Sequence, residues 1–518
     1  MSDGERRSDL TSLARGGTLN IAGTAANAVF GFALGIVVTR SLHASGAGVF
    51  FEAVALFTIA SVVTTFGADV GVVRAVPRFR ALGRGGDARA CLPAAVAPVL
   101  LASGGVAAAL FALAPQVSQL AVHGADANAL VPYVRVLAPF LPLAVASKVL
   151  LAATRGYGTM LPFVAIEYVA KAGVRPLLVL AAVAAGVGEA GVALAWGLPV
   201  ALGLLAALVW LRALIRGAAT DDAGDARRPR EVAGEFWRFA SFRGFAAVFD
   251  VAVLWLDVLL VGALGSAREA GIYTAASRLV TVGAFALQAM LLVAGPQISA
   301  LLAQGSRDRA QTVYQTATAW LTAVSIPLYV TVFAFAPLLL RVFGSDFVSG
   351  ATALRVLALA MIVNMATGPV TVVLLMGGRS SWNLGNNLAA LVVNVALNVV
   401  LIPRFGIDGA AAAWAASILV QNLAPLAQIW VAMRMHPFGP GYPVVAAAGV
   451  ACYGVAGAVA LYALGESVAA LVVAVLAATP AYLALLFRFR ELLALTELRS
   501  ALRLPRLRTA MPAAVSRP

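Results

Sequence analysis

Charge is scarce in this sequence. Asp, Glu, Lys and Arg together make up 12% of 518 residues, about half the share that a soluble domain carries. Lysine is nearly missing: of 37 basic residues 35 are Arg, and only Lys148 and Lys171 are Lys, a skew that reflects coding bias. The two cysteines, Cys91 and Cys452, stand far apart and suggest neither a disulfide framework nor a metal site. His43, His123 and His436 fall in loops without partners at ligand spacing, so no metal site is expected. No phosphate-binding glycine loop, paired-histidine motif or nucleophile motif occurs, which argues against ATP hydrolysis by this chain.

Apolar residues are what the sequence has in excess. They make up 61% of the chain, with a mean hydropathy of +0.92, and they fall in blocks of about 20, the length a helix needs to cross the hydrocarbon of a bilayer. The first block is too long for a signal-peptide core and reads as a retained helix. The fold class expected is an all-α, multi-pass membrane protein of about fourteen spans. They lie near 18–40, 50–73, 92–114, 132–153, 160–185, 190–212, 238–263, 272–296, 313–340, 352–376, 383–402, 410–433, 441–463 and 468–487.

The net charge of +14 finds its use in orientation and not in nucleic acid. With the N-terminus in the cytoplasm, the inner segments hold 26 basic residues and the outer ones four, Arg40, Arg268, Arg341 and Arg404. The positive-inside rule then places both termini in the cytoplasm, here of a bacterial or archaeal plasma membrane. The longest inner loop contains TDDAGDARRPRE and reads as a flexible connector.

The chain begins again in its middle. An apolar run ending in Arg40 restarts at Gly48-Val49-Phe50, and a run ending near Gly265 restarts at Gly271-Ile272-Tyr273, 223 residues downstream. Pro77 and Ala81-Leu82 find their match in Pro296 and Ala300-Leu301. Thr154-Arg155-Gly156 resembles Met376-Gly377-Gly378. Gly188 and Gly191, followed by Trp196, match Gly406 and Gly409, followed by Trp414. Four anchors at nearly constant offset mark an internal repeat. Six spans per copy make it a parallel repeat about an axis along the membrane normal. The expected division is an N-lobe over 1–212, a cytoplasmic linker over 213–237, a C-lobe over 238–434, two further spans over 435–487 and a basic cytoplasmic tail over 488–518.

Several residues carry a family resemblance: Thr39-Arg40-Ser41-Leu42 with Gly46 and Gly48, Asp257 to Gly262 (DVLLVG), Gly271 to Leu279 (GIYTAASRL) and Ile402 to Ala411 (IPRFGIDGAA). Together they resemble the polysaccharide (Wzx-type) flippase branch of the multidrug/oligosaccharidyl-lipid/polysaccharide exporter superfamily, over nearly the whole chain to about residue 490. The resemblance implies a flippase that moves an undecaprenyl-linked sugar precursor between leaflets. It also implies two six-helix lobes forming a V around a central cavity, and no catalytic residue. Three other readings stay open: a lipid II flippase, a drug or cation antiporter of the same superfamily, and a membrane-embedded polymerase or ligase. Cavity arginines and fourteen spans argue against the antiporter. The outer interval Ala114 to Val131, with only His123 and Asp126, argues against the enzyme.

The spans also hold charges, each costing roughly 2.5–3.5 kcal/mol at mid-bilayer on insertion scales. They must pair, reach the surface or line a wet cavity. Arg40, Arg243 and Arg278 are candidates for the diphosphate of a lipid-linked substrate, because the guanidinium fork matches phosphate oxygens. Asp257 and Arg278 can line a cavity or clamp spans seven and eight, and Arg243 and Asp250 share a helix face. Asn383, Asn387, Asn394 and Asn398 recur at steps of 4, 7 and 4 on one face, suited to sugar hydroxyls or to hydrogen bonds between helices. Glu167, Lys171 and Arg175 form an i, i+4, i+8 ladder that neutralises itself. Asp69 and Arg74 sit near the inner surface as gate or anchor, and Glu52 stands where it can pair with Arg40. The carboxylates can hold H⁺ or Na⁺ for coupling. The partners expected are the lipid-linked oligosaccharide, the bilayer and glycan-assembly enzymes, with no nucleic acid. Gly31 with Gly35, and Gly67 with Gly71, permit close helix contact. Gly295-Pro296 and Gly368-Pro369 are candidate kinks.

Overall fold

The computed structural model describes residues 3–124, 126–217, 227–281 and 283–493. Every element in it is helical, and no strand occurs among the described residues. A bilayer demands this, because backbone N–H and C=O groups in hydrocarbon must be satisfied within the chain. The fourteen expected segments fall largely on helix, but 50–73, 132–153 and 352–376 each cross a break between two helices. Eight helices among the described residues are long and apolar enough to cross a membrane, or ten if each bent pair is one span. Two of the eight are long for one crossing and contain a break, at His43 in Asp3–Thr65 and at Gly406 in Ser380–Met433. A count by helix does not reach fourteen.

The breaks follow local chemistry. Phe66 and Gly67 take consecutive positive φ angles of 43° and 76°, which ends one helix at Thr65 and starts the next at Ala68. Gly368 at φ 66° and Pro369 separate Ala351–Ala366 from Val370–Met376. Gly295-Pro296, by contrast, lies within the unbroken helix Ala284–Ala303. A π-helix over Val164–Lys171, a rare form that occurs mostly as bulges within α-helices, interrupts the fifth span and has no counterpart in the sequence reading. The helix that opens the second copy begins at Pro229, so the polar connector ends well before 237. Residues 218–226 of the connector and 494–518 of the basic tail lie outside the described residues.

The chain groups into two units, neither contiguous. The first comprises Met1–Val282, Ala336–Leu357 and Gly385–Gln421; the second comprises Gly283–Phe335, Ala358–Leu384 and Asn422–Pro518. In the second unit, Ile298, Tyr314, Val373, Leu374, Ile429 and Met435 share a buried core. The Tyr314 hydroxyl there donates to the Thr367 carbonyl at 2.9 Å.

The first unit carries the signature of the repeat at its centre. A methyl group on Gly48 would run into the Ala267 carbonyl and stand 3.0 Å from the Gly271 nitrogen; one on Gly271 would run into the Ala44 carbonyl and stand 2.9 Å from the Gly48 nitrogen. Ala44 with Ala267 and Gly48 with Gly271 are repeat-equivalent pairs, both 223 residues apart. Residue i of one copy thus meets j of the other, and j meets i, as two-fold contacts do. The internal repeat is visible as a symmetric glycine crossing. Farther along, Gly67 crosses the helix Pro229–Leu264 against the Ala240 carbonyl and Gly244, and Gly71 packs against Phe236 and Ala240. That glycine pair makes the close contact expected of its spacing.

Candidate functional site

The restart region supplies a buried polar cluster from three helices of the first unit. Pro229–Leu264 presents Asp257, Ala267–Thr281 presents Tyr273, and the first arm of Ser380–Met433 presents Asn394 and Asn398. Asp257 is 3% exposed. The Tyr273 hydroxyl donates to its Oδ2 at 3.2 Å, and Asn398 Nδ2 donates to its Oδ1 at 2.8 Å. Asn398 Nδ2 also donates to Asn394 Oδ1 at 3.1 Å. Asn394 Nδ2 and Asn398 Oδ1 stay buried without a partner, a costly state. A buried carboxylate that accepts from a hydroxyl and an amide N–H, with one amide oxygen beside it left over, can take up a proton or a small cation.

Close along the same helix, Gly262 makes room for a second acid. Glu52 is fully buried, its carboxylate occupies the space that a side chain at 262 would need, and neither oxygen has a hydrogen-bond partner. Asp126, whose Oδ2 accepts from the Ser45 hydroxyl at 2.7 Å, is its acidic neighbour. Arg40 does not pair with Glu52. Its Nε donates to the Val342 carbonyl at 2.9 Å and its Nη2 to the Arg341 carbonyl at 3.2 Å, just past the short helix Ala336–Leu340.

Arg278 does not clamp Asp257. It is half-buried and lies over the Phe51 ring at 4.9 Å, and its Nη1 makes a long hydrogen bond, 3.4 Å, to the Gly31 carbonyl. Its Cδ would stand 3.4 Å from a methyl group on Gly35. The Gly31/Gly35 pair therefore seats a guanidinium, where its spacing had suggested contact between helices. The Nε of Arg278 is buried without an acceptor, and no carboxylate among the described side chains forms an ion pair with it.

The remaining candidates are placed separately. Arg243 is exposed, and the side chain of Asp250 lies outside the described residues. Arg74 lies 3.9 Å over the ring of Phe239, and Asp69 is the acidic neighbour of Arg155. Asn387 accepts from Gln421 Nε2 at 3.4 Å, and Asn383 falls in the second unit. The amide strip thus splits, its last two members joining Asp257. Of the charge ladder, Lys171 Nζ bonds Glu167 at 2.8 Å, while Arg175 turns to Trp196, 4.0 Å over its ring with Nε donating to its carbonyl at 3.2 Å. The Lys171 side chain is 6% exposed and that of Glu167 26%. Glu167→Ala, which strands the deeper charge, is expected to cost about 3 kcal/mol of stability. Lys171→Ala is expected to cost less, and thermal unfolding in detergent orders the two.

Sequence reasoning missed Tyr273 and Gly262 as cluster members, although both stood inside quoted motifs.

Comparison with known proteins yields a consistent set. The family described as "Polysaccharide biosynthesis protein" matches residues 37–352. The protein named "Probable low-salt glycan biosynthesis flippase Agl15" of Haloferax volcanii is 29% identical over 177 residues, 33% of this chain and 36% of that one. This chain thus matches only about a third of the length of that relative. Among solved structures, the lipid II flippase MurJ in an inward closed conformation is similar with a TM-score of 0.69 at 10% identity, covering 91% of this chain and 98% of that one. An inward-facing multidrug resistance MATE family transporter of the MOP superfamily gives 0.63 at 16% identity, covering 79% and 96%. The fold is that of these transporters.

Proposed function

The chain belongs to the polysaccharide biosynthesis protein family, and on that premise we propose that it is a flippase, not an enzyme. Its substrate is an undecaprenyl-diphosphate-linked oligosaccharide, carried from the inner to the outer leaflet by alternating access. Residues 1–212 and 238–434 serve as its two lobes, and both termini face the cytoplasm. The single observation that carries this reading is Arg278, a guanidinium held in place by Phe51 and Gly31 whose buried Nε lacks an acceptor. A half-buried cation without a carboxylate partner is complementary to a diphosphate, which a planar fork binds in pairs of hydrogen bonds. The Asp257 cluster is the place where H⁺ or Na⁺ coupling would act. Glycan-assembly enzymes on the cytoplasmic side would supply the substrate.

The test offers three cargoes to the reconstituted protein in liposomes: a fluorescent undecaprenyl-diphosphate oligosaccharide, lipid II and a cationic dye. Preferential movement of the oligosaccharide carrier is expected. Movement of lipid II alone would replace the substrate, and movement of the dye alone would make this a drug exporter.

A further inference from the structure

The turn that joins Ala68–Ala81 to Gly85–Ala112 and the start of Pro229–Leu264 are held together by charges that the sequence reading treated as ordinary loop residues. Asp87 lies at the centre, its side chain 2% exposed. Its Oδ2 accepts from Arg84 Nε at 2.7 Å and from Arg227 Nε at 3.0 Å, and its Oδ1 accepts from the Arg227 backbone N–H at 2.7 Å. Glu235 accepts from Arg78 Nη1 and from Arg84 Nη2, each at 3.1 Å, and from Arg227 Nη2. Arg84 and Arg227 therefore each bridge both carboxylates. Trp237 adds a further fastening, its Nε1 donating to the Ala94 carbonyl at 3.1 Å.

Three features set this cluster apart from a permanent staple. It joins the first copy of the repeat to the beginning of the second. Its rim is reached by solvent, since Arg78 and Arg227 are about half exposed while Asp87 beneath them is 2% exposed, so the bonds from Arg78 and Arg227 to Glu235 are the ones that water can replace and salt can screen. One of its arms, Ala68–Ala81, is hinged by the two positive-φ residues Phe66 and Gly67, the kind of short segment that absorbs a swing between rigid elements.

We propose that Arg84, Asp87, Arg227 and Glu235 form an ionic latch that ties the second and third spans to the seventh and opens once in each transport cycle. The latch rests on the alternating-access reading given above. Its opening frees the charged ends of both segments, and its closing rebuilds the charge-assisted hydrogen bonds.

The experiment uses full-length protein lacking Cys91 and Cys452, with Arg84→Cys and Glu235→Cys joined by a short cleavable bis-thiosulfonate. The cross-linked protein is expected to flip lipid at least about tenfold more slowly, as a blocked opening step would require, and to recover on reduction. Undiminished flipping by the cross-linked protein would overturn the latch. A second measurement does not depend on transport: spin labels at the exposed positions Leu82→Cys and Arg230→Cys, in lipid nanodiscs, report the separation of the two segments. Two distances, with the longer enriched by Glu235→Gln, are expected. One unchanged distance in both proteins would make the cluster a static brace and overturn the latch, whatever the cargo. Two distances in a protein that moves no lipid would uphold the latch and remove the flippase.

Discussion

Replacing Arg278 by alanine is expected to lower the rate of lipid flipping by about 10- to 100-fold, the change that 1.5–3 kcal/mol of hydrogen bonding to a charged group represents. The loss falls on transport and not on folding. In the folded protein the Arg278 Nε already lacks an acceptor, and its one backbone hydrogen bond is long, at 3.4 Å. Removing it therefore relieves a buried donor and leaves thermal stability unchanged or slightly raised. Arg278→Lys is expected to keep part of the rate, because an ammonium binds phosphate as a point charge but without the paired donors of the fork. Initial rates of leaflet exchange, set beside melting curves of the same proteins, check both halves. Full activity in Arg278→Ala would reduce the residue to a fastening of its helix on Phe51 and Gly31.

The second large effect is structural and sits on the repeat axis. Gly48→Ala and Gly271→Ala are each expected to lose most of the folded protein, because the added methyl meets backbone atoms of the facing helix and not a side chain that can turn away. Overpacking that a side chain can relieve costs about 1–3 kcal/mol, and a backbone clash has no such relief. Gly104→Ala, with no atom within 4 Å of its added methyl, is the control. It is expected to be neutral or stabilising by up to about 1 kcal/mol from helix propensity. Yields of monodisperse protein after extraction measure the contrast. Equal yields for Gly48→Ala and Gly104→Ala would remove the glycine crossing.

Hydrophobic blocks carry the all-helical fold in the sequence, and the offset of 223 marks as equivalent two glycines, Gly48 and Gly271, that the structure then brings into contact. The site is legible only in part. Asn394 and Asn398 are one turn apart and reach Asp257, but Asn383 lies eleven residues before Asn394, about 16 Å along the helix, beyond the reach of the same cluster. Face periodicity gives direction without depth. Pairing of charges is decided by tertiary contacts that spacing does not encode. Arg40 and Glu52 stand near each other in sequence, yet the break at His43 separates their helices, and Arg40 bonds carbonyls 301 and 302 residues away. Asp87 and Glu235 belong to polar stretches that read as solvated, and only the packing of their helices brings three arginines to them. The π-helix leaves no composition signal at all.

The most direct measurement is the initial rate at which the wild-type protein moves a fluorescent undecaprenyl-diphosphate oligosaccharide between the leaflets of a liposome, under an imposed H⁺ or Na⁺ gradient. Exchange well above that of protein-free liposomes, and slowed about 10- to 100-fold in Arg278→Ala, is the predicted result. Exchange no faster than in protein-free liposomes under either gradient would contradict it.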